Sequence, residues 1–274
     1  MNAKRLIILA CALTWLLTAG ATRAGDFDHQ HAAWNRLLQE HVVWIRGGVA
    51  SEVDYAGFKR NQTALEDYLG SLSAVSEDQY QAWSDDRRLA FLINAYNAFT
   101  VELILTEYPD LASIKELGGL LSSPWGREFV QLRGGQRSLD DIEHEMIRVE
   151  FAEPRIHFAV NCASVGCPAL VDTAYTGDSL DAQLTRAEDR FMADSERNRY
   201  NAAARQFEVS RIFDWYGEDW SADTGYPDGV RGFLMGHLER LSTGPVPQRL
   251  VAIGADIEFL DYDWALNDVR DATR

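Results

Sequence analysis

Cys162, His157 and Asn161 lie within six residues of one another, and those residue types are the parts of a thiol nucleophile system. A thiolate attacks, an imidazole takes or returns its proton, and an amide or carboxylate orients the ring. The apolar run from Ile156 to Val160 reads as a buried strand that delivers Cys162 into a loop of small residues, Ala163 to Gly166. Side chains alternate along a strand. Ile156, Phe158 and Val160 then share the core face, with which Cys162 is in parity, while His157, Ala159 and Asn161 share the other. His157 therefore reaches Cys162 only where the strand breaks near Asn161. His144 is the competing base, on a helix read from Ser138 to Val149 and off that helix's apolar stripe. His157 ranks first because it points the same way as Asn161.

The sulfurs admit other chemistry. Cys162 and Cys167 can form a disulfide across a short loop containing Gly166 and followed by Pro168. The chain-entropy model assigns so short a closure roughly 2 kcal/mol, enough to pin the loop but not the fold. A zinc site would need His144 and His157 beside both sulfurs, and the Cys-x4-Cys spacing is looser than usual zinc motifs. The Cys-x-x-Cys of dithiol oxidoreductases is missing from the sequence. Asn94 and Asn97, three apart on an otherwise apolar helix, must meet polar partners if buried. A substrate cleft or the loop backbone around 161–168 would serve. Asp214-Trp215-Tyr216 and Asp261-Tyr262-Asp263-Trp264 set carboxylates beside aromatics, which suits sugar binding or glycoside hydrolysis, or a strand edge with aromatic cross-strand packing. Asp140 and Asp141 read as charges complementing a helix start. His29, His31 and His237 read as surface residues. No G-x-S-x-G element and no Gly-rich phosphate loop in a strand–turn–helix setting occurs.

The elements that must position these residues are mostly helical. Apolar spacing predicts helices over 27–45, 61–72, 86–107, 138–149, 179–195 and 228–241. The 86–107 segment is apolar around nearly its whole circumference, as a buried helix is, with Ser84 or Asp85 as its cap. Ser138 and Asp141 stand in a capping-box position. Strands are predicted at 128–132, with a turn at Gly134-Gly135, and at 156–160, 206–215 and 257–264, with a short extended piece at 53–55. This pattern gives an α+β class, mainly helical with a small, mostly antiparallel sheet, in a single domain.

Several pieces together resemble one family: Leu92 to Ala98, Ser138 to His144, Arg155 to Ser164, Cys167-Pro168, Ile212 to Tyr216 and Tyr262 to Asn267. In content and order they resemble the domain-of-unknown-function family numbered 547, over a region from about 50 to 270. The resemblance carries no activity. It indicates which residues to examine.

The N-terminus is built for export. Lys4 and Arg5 precede an apolar run, Leu6 to Leu17, which is too short to span a bilayer at about 20 residues. Ala19-Gly20-Ala21 offers a cleavage pattern, with a rival site after Ala24. Cys11 within the run reads as inert rather than lipidated. Residues 1–24 are taken as a signal peptide and 25–274 as one globular domain. Removing Lys4, Arg5 and Arg23 with no acid takes the net charge from −16 to −19. Such a surface repels phosphate backbones and excludes nucleic acid as a partner. The sequence therefore points to a periplasmic or extracellular protein with no membrane span after processing, no cofactor and no metal. It binds a ligand or partner protein through a cleft near the Cys162–Cys167 loop. The alternative is a thiol-dependent hydrolase or transferase, with Cys162 as nucleophile, His157 or His144 as base, and Asn94, Asn97 or Asn161 as orienters.

Overall fold

The computed structural model describes residues 26–119, 122–244 and 254–269, so the signal-peptide assignment lies outside the described residues. The chain opens with α1 (Ala32–His41), which buries Trp34, Leu37 and Leu38. The helix expected to run to Ile45 stops at His41. The β-branched pair Val42-Val43 begins strand β1 (Val42–Ile45), which pairs antiparallel with β2 (Ala50–Val53), Val42 opposite Val53. Arg46, Gly47 and Gly48, all with positive φ, make the connection. Asp54 then caps α2 (Tyr55–Arg60), accepting from the Gly57 N–H, so the extended piece expected at 53–55 ends at Val53. Helices α3 (Gln62–Ser73) and α4 (Glu77–Gln81) follow.

Helix α5 (Asp85–Leu105) is the axis of the molecule. Ser84 caps it by accepting from the Arg87 N–H, and from Leu89 onward every residue but Glu102 is buried. Among the described residues this is the helix long and apolar enough to cross a membrane, yet 89% of its apolar window is buried inside the fold. It is a core helix.

Strands β3 (Val130–Leu132) and β4 (Gly135–Arg137) form a hairpin. Its turn is Arg133-Gly134, both at positive φ, one residue ahead of the expected Gly134-Gly135. The predicted capping box is present: the Ser138 N–H donates to Asp141 Oδ2 at 2.8 Å, and the Asp141 N–H to Ser138 Oγ at 3.0 Å. The helix it opens has a wide, π-type turn, Asp141–Ile147, which runs into α6 (Arg148–Glu150).

The strand expected at 156–160 is a 3-10 helix, Pro154–Phe158. Pro154 at its first turn fixes φ and needs no hydrogen-bond acceptor, and Glu153 caps it through the Arg155 N–H. Alternation therefore fails here. Ile156 joins one hydrophobic cluster and Phe158 another. After a long loop come α7 (Leu180–Ala193), β5 (Arg199–Asn201), β6 (Gln206–Val209) and α8 (Ile212–Trp215), then α9 (Gly229–Gly236), α10 (Leu238–Leu241) and β7 (Asp256–Phe259). The strand expected over 206–215 ends at Val209, and that over 257–264 at Phe259.

The fold is α+β and mainly helical, as expected. Its strands form three small sheets among the described residues rather than one, and they are antiparallel except for the β6–β7 pair. One cluster surrounds α5. The second gathers Phe158, Phe191, Phe213, Trp220 and Phe233.

Candidate functional site

The three asparagines shape the loop that carries the cysteines. Asn97 Nδ2 donates to the Ala159 carbonyl at 2.9 Å, and Asn97 Oδ1 accepts from the Asn161 N–H at 2.8 Å. Asn94 makes the same two-way bond with the Tyr175 backbone. Asn161 donates to the Pro168 carbonyl at 2.7 Å and accepts from the Ala163 N–H at 2.9 Å, which suits the left-handed backbone of Ala163 (φ 61°). All three amides are buried and satisfied by loop backbone. They brace the loop backbone, and the His157 ring is bonded by Asp219.

A second brace fixes the other side of the loop. After β7 the chain returns, and the Val165 and Gly166 N–H groups donate to the carbonyls of Ala265 and Asp263, both at 2.8 Å. This return brings Tyr262 and Trp264 against the cysteines. Cys162 and Cys167 are joined in a disulfide, with Cα atoms 6.0 Å apart. The Tyr262 hydroxyl lies 3.2 Å from Cys162 Sγ and 3.3 Å from Cys167 Sγ, and Ser164 Oγ is 3.3 Å from each. Burial pushes the Tyr262 phenol up to about 12, against a lowering hydrogen bond from Ser164, so it remains a neutral donor.

His157 is almost fully buried. Its Nε2 is 2.6 Å from Asp219 Oδ2, its ring stacks on Tyr216 with centroids 4.1 Å apart, and its Nδ1 has no hydrogen-bond partner. Asp219 also takes a two-pronged bond from Arg148, Nε and the terminal nitrogen each at 2.7 Å. Burial acts to raise the Asp219 carboxyl, but the bonds from His157 and Arg148 outweigh it and hold Asp219 well below the usual carboxylate range. His144 Nδ1 sits 3.1 Å from the same arginine. Both candidate imidazoles are thus tied to one network through Arg148 and Asp219. Of the residues a zinc site would need, the two sulfurs are bonded to each other.

Between these parts lies a cavity of about 320 Å³. His157, Cys162 and Cys167 line one part of it. Trp125, Trp215, Tyr262 and Trp264 line another, with ring centroids 4.5–5.7 Å apart in successive contacts. Trp215 is 41% exposed and forms its outer edge. Tyr96 and Tyr216 line the inner part beside Asp140 and Glu143. Burial, then the charge of Glu143, raises the ionisation of both phenols. Asp140 is also raised above its ordinary value, mainly by burial, with His144 opposing and the neighbouring acids Glu143 and Asp141 adding to it. Among the described residues no lysine or arginine lines the cavity, although Lys115 Nζ stands 3.7 Å from the Trp264 ring centroid.

The two aromatic-acid segments singled out in the sequence do meet here, but through their rings. Asp214, Asp261 and Asp263 do not line the cavity, and its carboxyl groups come from Asp140 and Glu143 instead. Asp219 is the residue sequence reasoning missed. Two histidines read as surface groups are also placed differently. His31 is buried with Nδ1 2.7 Å from the Tyr68 hydroxyl, and burial drives it down to about 4. His237 bonds Glu188 at 3.0 Å, a contact that raises it although burial acts to lower it.

Comparison with known proteins agrees with the motif pieces. Residues 80–192 match the model of the family described as Protein of unknown function, DUF547, and the chain resembles that family over this segment. The match is narrower than the 50–270 region suggested by the motifs. It holds the disulfide, His157, Asp140 and Glu143, while Asp219, Trp215, Tyr216, Tyr262 and Trp264 lie beyond it. No curated protein and no solved structure matches the chain.

Proposed function

We propose that this is an exported binding module whose cavity beside the Cys162–Cys167 disulfide takes a small organic cation. The observation that carries the proposal is the composition of the wall: aromatic rings from Trp125, Trp215, Tyr262 and Trp264, two carboxyl groups from Asp140 and Glu143, and no lysine or arginine among the described lining residues. Ring faces attract a desolvated cation by about 0.5–2 kcal/mol each. Ligand pockets usually run from about 300 Å³ upward, so this one suits a small guest. Two protein cations stand near these rings: Arg148, over Tyr216, is already paired by Glu218 and Asp219, and Lys115 Nζ lies 3.7 Å from the Trp264 ring centroid, so one face of that ring is taken. The excess of acid in the whole chain favours the same guest.

Choline tests this, with 3,3-dimethylbutan-1-ol as its uncharged counterpart. The indoles of the wall report occupancy by fluorescence. Choline should perturb the emission saturably, and the alcohol should bind at least ten-fold more weakly. Trp215→Ala should weaken choline by about 2- to 30-fold, the range of one cation–ring contact. Because the Asp140 carboxyl is raised, its charge is lost earlier on acidification than for an ordinary aspartate. Choline affinity should therefore fall as pH drops toward the carboxylate range, beginning above about 4. Equal binding of the two probes would exclude a cation site.

A thiol-dependent hydrolase or transferase is the second reading. It is favoured by one observation: His157, with an unpartnered Nδ1, shares the cavity with Cys162. It requires Cys162 as a free thiol. Alkylation of exported protein without reductant, followed by weighing the peptide spanning 156–170, decides. Rapid labelling of Cys162 supports the enzyme, and an unlabelled peptide two hydrogens lighter supports the binding module.

A further inference from the structure

We infer that the Cys162–Cys167 disulfide undergoes thiol–disulfide exchange with a small aminothiol, which attacks at Cys162. The choice of an aminothiol rests on the cation-binding reading above. The site of attack rests on the sulfurs' own surroundings.

The two sulfurs differ in access and in solvation. Cys167 is 2% exposed, whereas Cys162 is only part-buried, and both face the cavity. The backbone N–H of Cys162 donates to Cys167 Sγ at 2.9 Å. The Tyr262 and Ser164 hydroxyls stand between the two sulfurs, at 3.3 Å from Cys167 Sγ and at 3.2 and 3.3 Å from Cys162 Sγ. The hydroxyls serve both sulfurs, and the backbone N–H is the donor directed at Cys167 Sγ alone. A sulfur so surrounded is the better leaving thiolate, because hydrogen bonds to the charged form stabilise it. Exchange is faster when the leaving thiol is the more stable anion. Cys162 is then the sulfur attacked.

The step balances as follows. The incoming thiol loses its proton to solvent, and its sulfur bonds to Cys162 Sγ. The Cys162–Cys167 bond breaks, and its electron pair passes to Cys167 Sγ. A second thiolate attacks the sulfur of the bound aminothiol and releases its disulfide, leaving Cys162 as thiolate. Both cysteines take up protons from solvent. Two thiols are oxidised to one disulfide, and the protein disulfide is reduced to a dithiol. The loop is held during this by Asn97 and Asn161 on one side and by the Asp263–Ala265 return on the other, so the sulfurs stay close enough to re-form the bond. Asp140 and Glu143 in the wall favour a thiol carrying an ammonium group and oppose one carrying an acid group.

The test uses the oxidised, folded protein with cysteamine and with 2-mercaptoethanesulfonate. Each rate is normalised to that of the same thiol with an unstructured disulfide peptide. Samples are quenched in acid, alkylated and mapped by mass. The expected product is a mixed disulfide on Cys162 with Cys167 alkylated, formed at least ten-fold faster by cysteamine after normalisation. Asp140→Asn should shrink that ratio, and Tyr262→Phe should slow opening several-fold with either thiol. A mixed disulfide on Cys167, or no opening until denaturant is added, overturns exchange even if choline binds. Opening at Cys162 with equal normalised rates overturns the aminothiol class. Opening with no choline binding separates the two proposals and removes only the cation reading.

Discussion

Asp219 does the most at the scale of single residues. It is the shared acceptor for a buried imidazole and a guanidinium, so its removal strands His157 and leaves Arg148 with Glu218 and His144 alone. Hydrogen bonds to charged groups are worth about 1.5–3 kcal/mol each, with a further cost for buried groups left unpaired. Asp219→Asn should therefore lower stability by about 2–4 kcal/mol in urea unfolding near neutral pH. The sign of its pH dependence follows from its depressed pKa. The contribution is full above the ordinary aspartate value of about 4, where the unfolded group is also ionised, and is lost as pH falls further. Mutant and wild type should thus converge in strong acid. A loss below about 0.5 kcal/mol at neutral pH would mean that the network does not anchor the fold. Nothing local in Gly217-Glu218-Asp219-Trp220 marks Asp219. Its partner His157 was legible as chemistry, but the bond spans 62 positions of chain. His31 was misread for the same reason, since its burial depends on Tyr68.

Among the elements, those governed by neighbours in sequence were legible. The Ser138–Asp141 cap, the Ser84 cap and the apolar circumference of α5 all rest on residues within a turn or two. The run Ile156–Val160 was misread because its hydrophobicity says only that it is buried, and Pro154 decides its backbone. The asparagines of α5 posed a question that only tertiary contacts answer. Asn97 bridges the Ala159 carbonyl and the Asn161 N–H, and truncation leaves both buried groups unpaired. Asn97→Ala should cost about 3 kcal/mol. It should leave far-ultraviolet dichroism unchanged at low temperature, because α5 makes its own backbone bonds. Loss of helical signal under native conditions would show instead that α5 depends on the loop.

For the whole molecule, the order of predicted helices and strands indicated the class and composition the acid excess, while the position of the cavity needed coordinates. The cavity lies where the two hydrophobic clusters meet: Tyr96 and Val160 come from the cluster around α5, Ile212 from the other, and Tyr216 and Tyr262 pack against the latter. A ligand at one hundred times its dissociation constant stabilises by about 2.7 kcal/mol. For a chain of this size that is a rise in melting temperature of about 5–10 °C. Saturating choline should produce such a shift, and the uncharged alcohol should produce little. Sharing the pocket between the two clusters has a mechanical consequence. A guest there acts as a rivet through two plates, and it should slow amide exchange in both at once, in α5 and in α8, rather than only in the backbone it touches.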